Sequence, residues 1–206
     1  MPDLLRNGPE ESPYRLLLAH GAGAPMDTPF MNAIADAVAE AGISVVRFEF
    51  EYMARRREDG KRRGPDRAPK LIEGYHEVLE QVGDAGHTII GGKSMGGRIA
   101  SMIADGAGVA GLVCLGYPFH PPGKPERLRT AHLETLQTPM LILQGTRDSF
   151  GTPEEVASYT LSPSIEVVWM KDGDHSFKPR KKSGRTKEQN LVAAAEAIIA
   201  FAQNLS

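Results

Sequence analysis

The sequence predicts an α/β fold, a mostly parallel sheet of about six strands with helices on both faces. Three observations lead there. Short apolar runs recur along the chain, stretches of helical spacing separate them, and the runs are unbroken rather than alternating apolar with polar. Unbroken runs suit strands buried on both faces, as a parallel sheet covered by its crossover helices requires.

The strands are expected at 14–19, 44–50, 88–91, 111–115, 140–144 and 165–170. The helices are expected at 29–41, 69–82, 95–105, 153–159 and 188–203. Two strongly basic stretches read as irregular loops. Residues 53–70 hold eight basic and three acidic residues, a local charge of +5, and 178–187 hold six basic and no acidic ones, +6. In such a sheet, ligands bind beyond the carboxyl ends of the strands, so the loops that follow each strand are where chemistry belongs.

A chain of 206 residues is expected to form one domain, 1–206, with its core at about 14–203. Its 24 basic and 26 acidic residues give a net charge of −2, which argues against coating nucleic acid through bulk charge. A composition 41% hydrophobic and 24% charged excludes a wholly disordered chain. The single cysteine, Cys114, lies in an apolar run and reads as a buried inert thiol. No signal-peptide pattern opens the chain and no stretch reaches the length of a membrane span, so the cytoplasm is the expected location, with neither membrane nor nucleic acid as partner.

The chemistry concentrates at Gly91-Gly92-Lys93-Ser94-Met95-Gly96-Gly97. This is G-x-S-x-G between a strand and a helix, the context of a nucleophile elbow. A serine on so sharp a turn leaves no room for side chains two residues before and after it, which is why Gly92 and Gly96 stand there. The Met95 N–H, at the helix start, points where an oxyanion would form. A phosphate-binding loop ending in Gly92-Lys93-Ser94 fails, because its first glycine position is His87 and 88–90 read as strand.

Serine needs a base. Six histidines are present, and in this fold the chain order runs Ser, Asp or Glu, His. His175 comes last and follows the 165–170 strand; Asp148 follows the 140–144 strand. Asp172 and Asp174 are alternative acids, disfavoured because they share the histidine's own loop. The second oxyanion donor is expected from the loop after the first strand, at Ala22 or, second, Gly23. His20 reads as a residue that ties that loop down, and Gly21-x-Gly23 is no dinucleotide motif because residue 26 is Met.

The residues His20-Gly21-Ala22-Gly23, Phe48-Glu49-Phe50 with the basic loop after it, the elbow with Arg98, Tyr117-Pro118-Phe119-His120-Pro121-Pro122-Gly123, Gly145-Thr146-Arg147-Asp148 and Asp174-His175 together resemble the α/β-hydrolase superfamily. The resemblance runs over about 14–203. It is strongest to the small dienelactone-hydrolase-like group, and within it to the family that includes the testis-expressed 30 protein and the third regulatory subunit of the non-specific-lethal acetyltransferase complex. It implies a minimal α/β-hydrolase fold without a lid and a Ser94–His175–Asp148 triad. On this resemblance the chain is a serine hydrolase for an ester or thioester of a small-molecule acyl substrate, working without metal or organic cofactor. Lys93, Gly23, Tyr117 and His120 are the expected substrate contacts. The alternative is a silent binding or scaffold protein on the same frame. The family's two leading strands are expected to be missing, and the short 116–139 segment leaves the site open. Lys93 and the two basic stretches are expected on one rim, where they would favour an anionic substrate.

Overall fold

The protein is described by a computed structural model covering residues 2–205. Its strands are β1 (Leu4–Asn7), β2 (Arg15–Ala19), β3 (Ser44–Phe48), β4 (Thr88–Lys93), β5 (Gly111–Leu115), β6 (Met140–Gly145) and β7 (Ile165–Met170). They form one sheet in the order β1-β3-β2-β4-β5-β6-β7. Every neighbouring pair is parallel except β1 with β3. The six strands expected from the sequence correspond to β2–β7.

The seventh, β1, corrects the expected count. It runs antiparallel along the sheet edge, Leu4 opposite Phe48 and Asn7 opposite Val45. Four residues with an exposed Arg6 give no apolar run to read, and an edge strand needs none. What holds it is partly polar. The Asn7 side-chain oxygen accepts from the Arg47 guanidinium at 2.9 Å, and its amide donates to Asp36 at 2.9 Å.

The helices are α1 (Pro29–Glu40), α2 (Glu51–Asp59), α3 (Ala68–Val82), α4 (Met95–Ala107), α5 (Pro153–Val156) and α6 (Lys187–Asn204). One face of the sheet packs against Ile34, Ala35 and Val38 of α1 and Ala194, Ile198 and Ala202 of α6. The other packs against Leu71, Tyr75 and Val78 of α3 and Ile99, Ala100 and Ile103 of α4. Both sets recur at the spacing of one helical stripe.

A second correction concerns the first basic stretch, which opens as helix α2. It buries only Tyr52 and Met53, so it shows no apolar stripe; an Arg55–Glu51 ion pair one turn apart supports it, and Gly60 (φ 69°) ends it. The 116–139 segment between β5 and β6 carries one short 3-10 turn, Ala131–Leu133, and no helical lid. Cys114 is buried in β5, and burial pushes its thiol well up. Among the described residues, no helix is long and apolar enough to cross a membrane.

Candidate active site

Four loops leave the carboxyl edge of the sheet and meet there. At the end of β4 the chain turns at Ser94, which has φ 52° and ψ −111°, a conformation L-residues rarely hold. The turn is tight enough that a Cβ on Gly92 would lie 2.4 Å from the Ala19 carbonyl oxygen, and one on Gly96 2.6 Å from that of His20. These are the close approaches expected at the elbow. Ser94 stands at the N-cap of α4 without its hydroxyl capping the helix, so Oγ is left for other work.

The loop after β2 is bound at several points. His20 is fully buried, its Nδ1 2.6 Å from the Gly21 carbonyl oxygen and its Nε2 accepting from the Phe50 N–H at 3.1 Å. Both bonds are met by the neutral Nδ1–H tautomer, and burial lowers its pKa, so His20 secures the loop and is in no position to act as a base. From α2, the Tyr52 hydroxyl donates to the Ala22 carbonyl at 3.0 Å and Arg56 to that of Gly23 at 3.1 Å. The N–H groups of Ala22 and Met95 have no protein acceptor among the described residues.

Asp148 and His175 come together from the loops after β6 and β7. His175 Nδ1 lies 2.7 Å from Asp148 Oδ2. Asp148 is fully buried and accepts two further bonds, from Gln144 Nε2 at 3.1 Å and the Phe150 N–H at 2.9 Å. The alternative acids are engaged elsewhere. Asp174 accepts from the N–H groups of Ser176 and Lys178 and so shapes the His175 turn, while Asp172 clasps the Arg180 guanidinium, which holds its carboxyl down at about 2. Asn190 of α6 ties the same turn down by donating to the Phe177 carbonyl at 2.8 Å. The Phe150 ring packs on the imidazole, centroids 4.3 Å apart.

A profile of the alpha/beta hydrolase domain family matches residues 12–203. This chain belongs to that family. An alpha-beta serine hydrolase homologue from Coxiella burnetii superposes on this alpha/beta hydrolase with a TM-score of 0.72, at 23% identity, over 98% of this chain and 91% of its own. A lidless α/β serine hydrolase from Xanthomonas campestris gives 0.72 at 22% identity, over 98% and 88%. The ferulic-acid complex of Est1E from Butyrivibrio proteoclasticus gives 0.66 at 16% identity, over 98% and 94%. At these identities the likeness is one of fold.

Two cavities of this alpha/beta hydrolase flank Ser94. One, of about 290 Å³, is walled by Ala22, Met31, Ser94, Phe150 and His175, so the serine and the imidazole share it. The other, of about 360 Å³, is walled by Ala22, Ser94, Met95, Arg98, Arg129 and Phe150. Among the described residues, no three His, Cys, Asp or Glu side chains gather so as to hold a metal ion.

Gly23 lines the first cavity. Tyr117 and His120 line neither. Tyr117 is fully buried, its hydroxyl donating to the Arg129 carbonyl at 2.9 Å, and buried His120 lies 3.5 Å from Glu155. Their segment folds inward because its aromatic rings complete the core. Lys93 lines the first cavity, but its ammonium is taken up by the His175 carbonyl at 2.6 Å and sits 5.5 Å above the Phe30 ring. It is therefore no rim charge. Much of the expected basic rim is also neutralised: Arg55 and Lys70 pair with Glu51, Arg57 with Asp27 and Glu49, and Arg63 with Asp59.

Burial pulls the Lys93 amine down to about 8 from its ordinary 10.5. Below pH 8 it is charged in both folded and unfolded chains, and the burial cost is present in full. Between pH 8 and 10.5 the unfolded chain holds the proton that the folded chain has released, so stability from this group rises with pH. Any stability advantage of Lys93→Met over wild type at pH 7 is therefore expected to shrink by pH 10, because only wild type gains stability through that window. Urea midpoints of both proteins at the two pH values check this; an advantage that grows with pH contradicts it.

The sequence reading gave no site role to Gln144, Phe150, Arg98 or Arg129. Gln144 left one signal, a lone amide ending the apolar run Met140-Leu141-Ile142-Leu143 four residues before Asp148. The other three carry none that spacing reveals.

Proposed function

We propose that this chain is a serine hydrolase that cleaves an ester or thioester through an acyl-enzyme intermediate. The observation that carries the reading is the 2.7 Å bond between buried Asp148 and a His175 that shares its cavity with the strained Ser94. Ser94 Oγ attacks the carbonyl carbon and its proton passes to His175 Nε2. Asp148 holds the Nδ1–H tautomer and stabilises the imidazolium. The Met95 and Ala22 N–H groups receive the oxyanion, an effect worth roughly 3 kcal/mol per donor. His175 then protonates the leaving alcohol or thiol, and water reverses the sequence to free the acid.

The absence of a lid in the 116–139 segment supports a small acyl substrate in an open site. Lys93 within the elbow and the 117–123 segment support a place in the family beside the testis-expressed 30 protein and the non-specific-lethal subunit. We read 1–206 as one catalytic domain, with a reduced thiol that suits the cytoplasm.

The test is labelling by a fluorophosphonate probe. Wild type is expected to label on the peptide containing Ser94 and Ser94→Ala not at all, with its circular dichroism unchanged. Labelling at another serine, or no labelling together with no turnover of p-nitrophenyl esters and acyl thioesters of graded length, overturns the proposal.

A further inference from the structure

The second cavity beside Ser94 contains two cations that nothing in the protein balances. Arg98 stands one turn into α4 and Arg129 lies in the 116–139 loop; both are partly buried and both line the cavity that Ser94 and Met95 open into. Among the described residues neither guanidinium forms an ion pair or a hydrogen bond, and Arg98 Nε is buried without a partner. Two other arginines have a buried, unpartnered Nε, but Arg15 donates through Nη1 to the Val82 carbonyl and Arg47 through Nη1 to Asn32. The arginines around the site are likewise engaged: Arg56 with the Gly23 carbonyl, Arg57 with Asp27 and Glu49, Arg147 and Arg180 with Asp172.

The arrangement is unfavourable three times over. Two like charges face each other with reduced solvation, and burial followed by the Arg98 charge pulls Arg129 below its ordinary value. Arg98 also adds positive charge to the first turn of α4, where the helix dipole is already positive. The one carboxylate on the cavity wall, Asp66, lies 3.5 Å from the Lys70 ammonium that Glu51 also holds, and forms no ion pair with either arginine. A single bound anion removes all three penalties.

We propose that Arg98 and Arg129 form a carboxylate-binding subsite, so that the substrate is an ester or thioester carrying a free carboxylate within a few atoms of the scissile carbonyl. This rests on the serine-hydrolase reading above. A carboxylate suits the fork of a guanidinium, which can donate two parallel N–H bonds to it. The first cavity, which shares Ala22, Ser94 and Phe150 with this one, also offers Met31 and Pro25 and receives the uncharged half of the substrate. Hydrolysis then adds water across the ester or thioester: the bond from the carbonyl carbon to the leaving oxygen or sulfur breaks, and the products are a carboxylic acid and an alcohol or thiol, one of them bearing the second carboxylate.

Two matched pairs of esters decide it, because the carboxylate could sit on either half. Mono-p-nitrophenyl glutarate is set against p-nitrophenyl valerate, and 4-acetoxybenzoate against its methyl ester. Wild type is expected to favour the charged member of at least one pair by about ten- to hundredfold in kcat/KM, the range of charge-assisted hydrogen bonds. That ratio is expected to fall close to one in Arg98→Gln and in Arg129→Gln, to recover in part in Arg98→Lys, and to persist in Arg127→Gln, an exposed neighbour on the same loop. An active enzyme with ratios near one in both pairs, or a preference that survives both glutamine variants, overturns the subsite. Binding without turnover separates the two proposals. Monomethyl glutarate titrated calorimetrically into Ser94→Ala is expected to saturate, and to give no heat with the Ser94→Ala, Arg98→Gln, Arg129→Gln protein. If neither pair is hydrolysed, the fluorophosphonate labelling decides the hydrolase reading, and this titration alone upholds or overturns the subsite.

Discussion

Ser94→Ala and His175→Ala are each expected to lower kcat by roughly 10⁴- to 10⁶-fold, and the double variant by hardly more than either alone. In the proposed mechanism the two residues perform one event. Without the imidazole, the Ser94 hydroxyl keeps its proton and is a poor nucleophile; without the hydroxyl, the imidazole has no proton to accept. Each is placed independently of the other, Ser94 by the φ 52° turn that Gly92 and Gly96 permit, and His175 by Asp148, the Asp174 turn and Asn190. Removing either side chain should therefore leave the rest of the site standing, with Met95 and Ala22 still available to an oxyanion and a residual rate above that in water. Steady-state kinetics on p-nitrophenyl acetate with all three variants is the measurement. Losses that multiply would mean that His175 does not serve Ser94.

The contrast between what the sequence shows and what it hides is physical. Strands β2 to β6 were legible because a strand covered on both faces is largely apolar, and such runs leave few other readings; the edge strand β7 stays mostly apolar despite its exposed Glu166. The elbow was legible because a Cβ at 92 or 96 would lie 2.4 to 2.7 Å from the carbonyl oxygens of the neighbouring β2 strand and its loop, which leaves room only for glycine. Strand β1 and helix α2 were hidden for the opposite reason: neither presents a periodic apolar pattern, and the polar contacts they make, Asn7 with Arg47 and Asp36 in one case and Arg55 with Glu51 in the other, leave no period. Local sequence also cannot say which way a side chain faces. Tyr117, His120 and Lys93 looked like substrate contacts, yet two of them fold into the interior and the third donates to the His175 carbonyl. Arg98 and Arg129 are 31 positions apart, and only the tertiary fold shows that one cavity holds both.

Asp148→Asn is expected to lower kcat by roughly 10⁴-fold with little change in KM. Three donors converge on this fully buried carboxylate: His175 Nδ1 and Gln144 Nε2 at Oδ2, and the Phe150 N–H at Oδ1. Gln144 cannot turn its amide round to help, because its oxygen already accepts from the Tyr117 N–H at 2.7 Å and its nitrogen donates to the Tyr117 carbonyl at 3.2 Å. If the asparagine NH₂ replaces Oδ2, it faces two donors, and His175 can relieve the conflict only by moving its proton to Nε2, the tautomer that cannot accept from Ser94. If the amide is reversed instead, NH₂ meets the Phe150 N–H and one buried donor is left unpaired, a cost of about 1–3 kcal/mol, while the negative charge that stabilises the imidazolium is gone in either case. Asp172→Asn and Asp174→Asn should each lose less than about tenfold, because the first only loosens Arg180 and the second keeps a side-chain oxygen for the loop N–H groups. The three variants assayed together on one ester make the comparison. A loss in either loop aspartate equal to that in Asp148→Asn would move the acid of the triad away from β6.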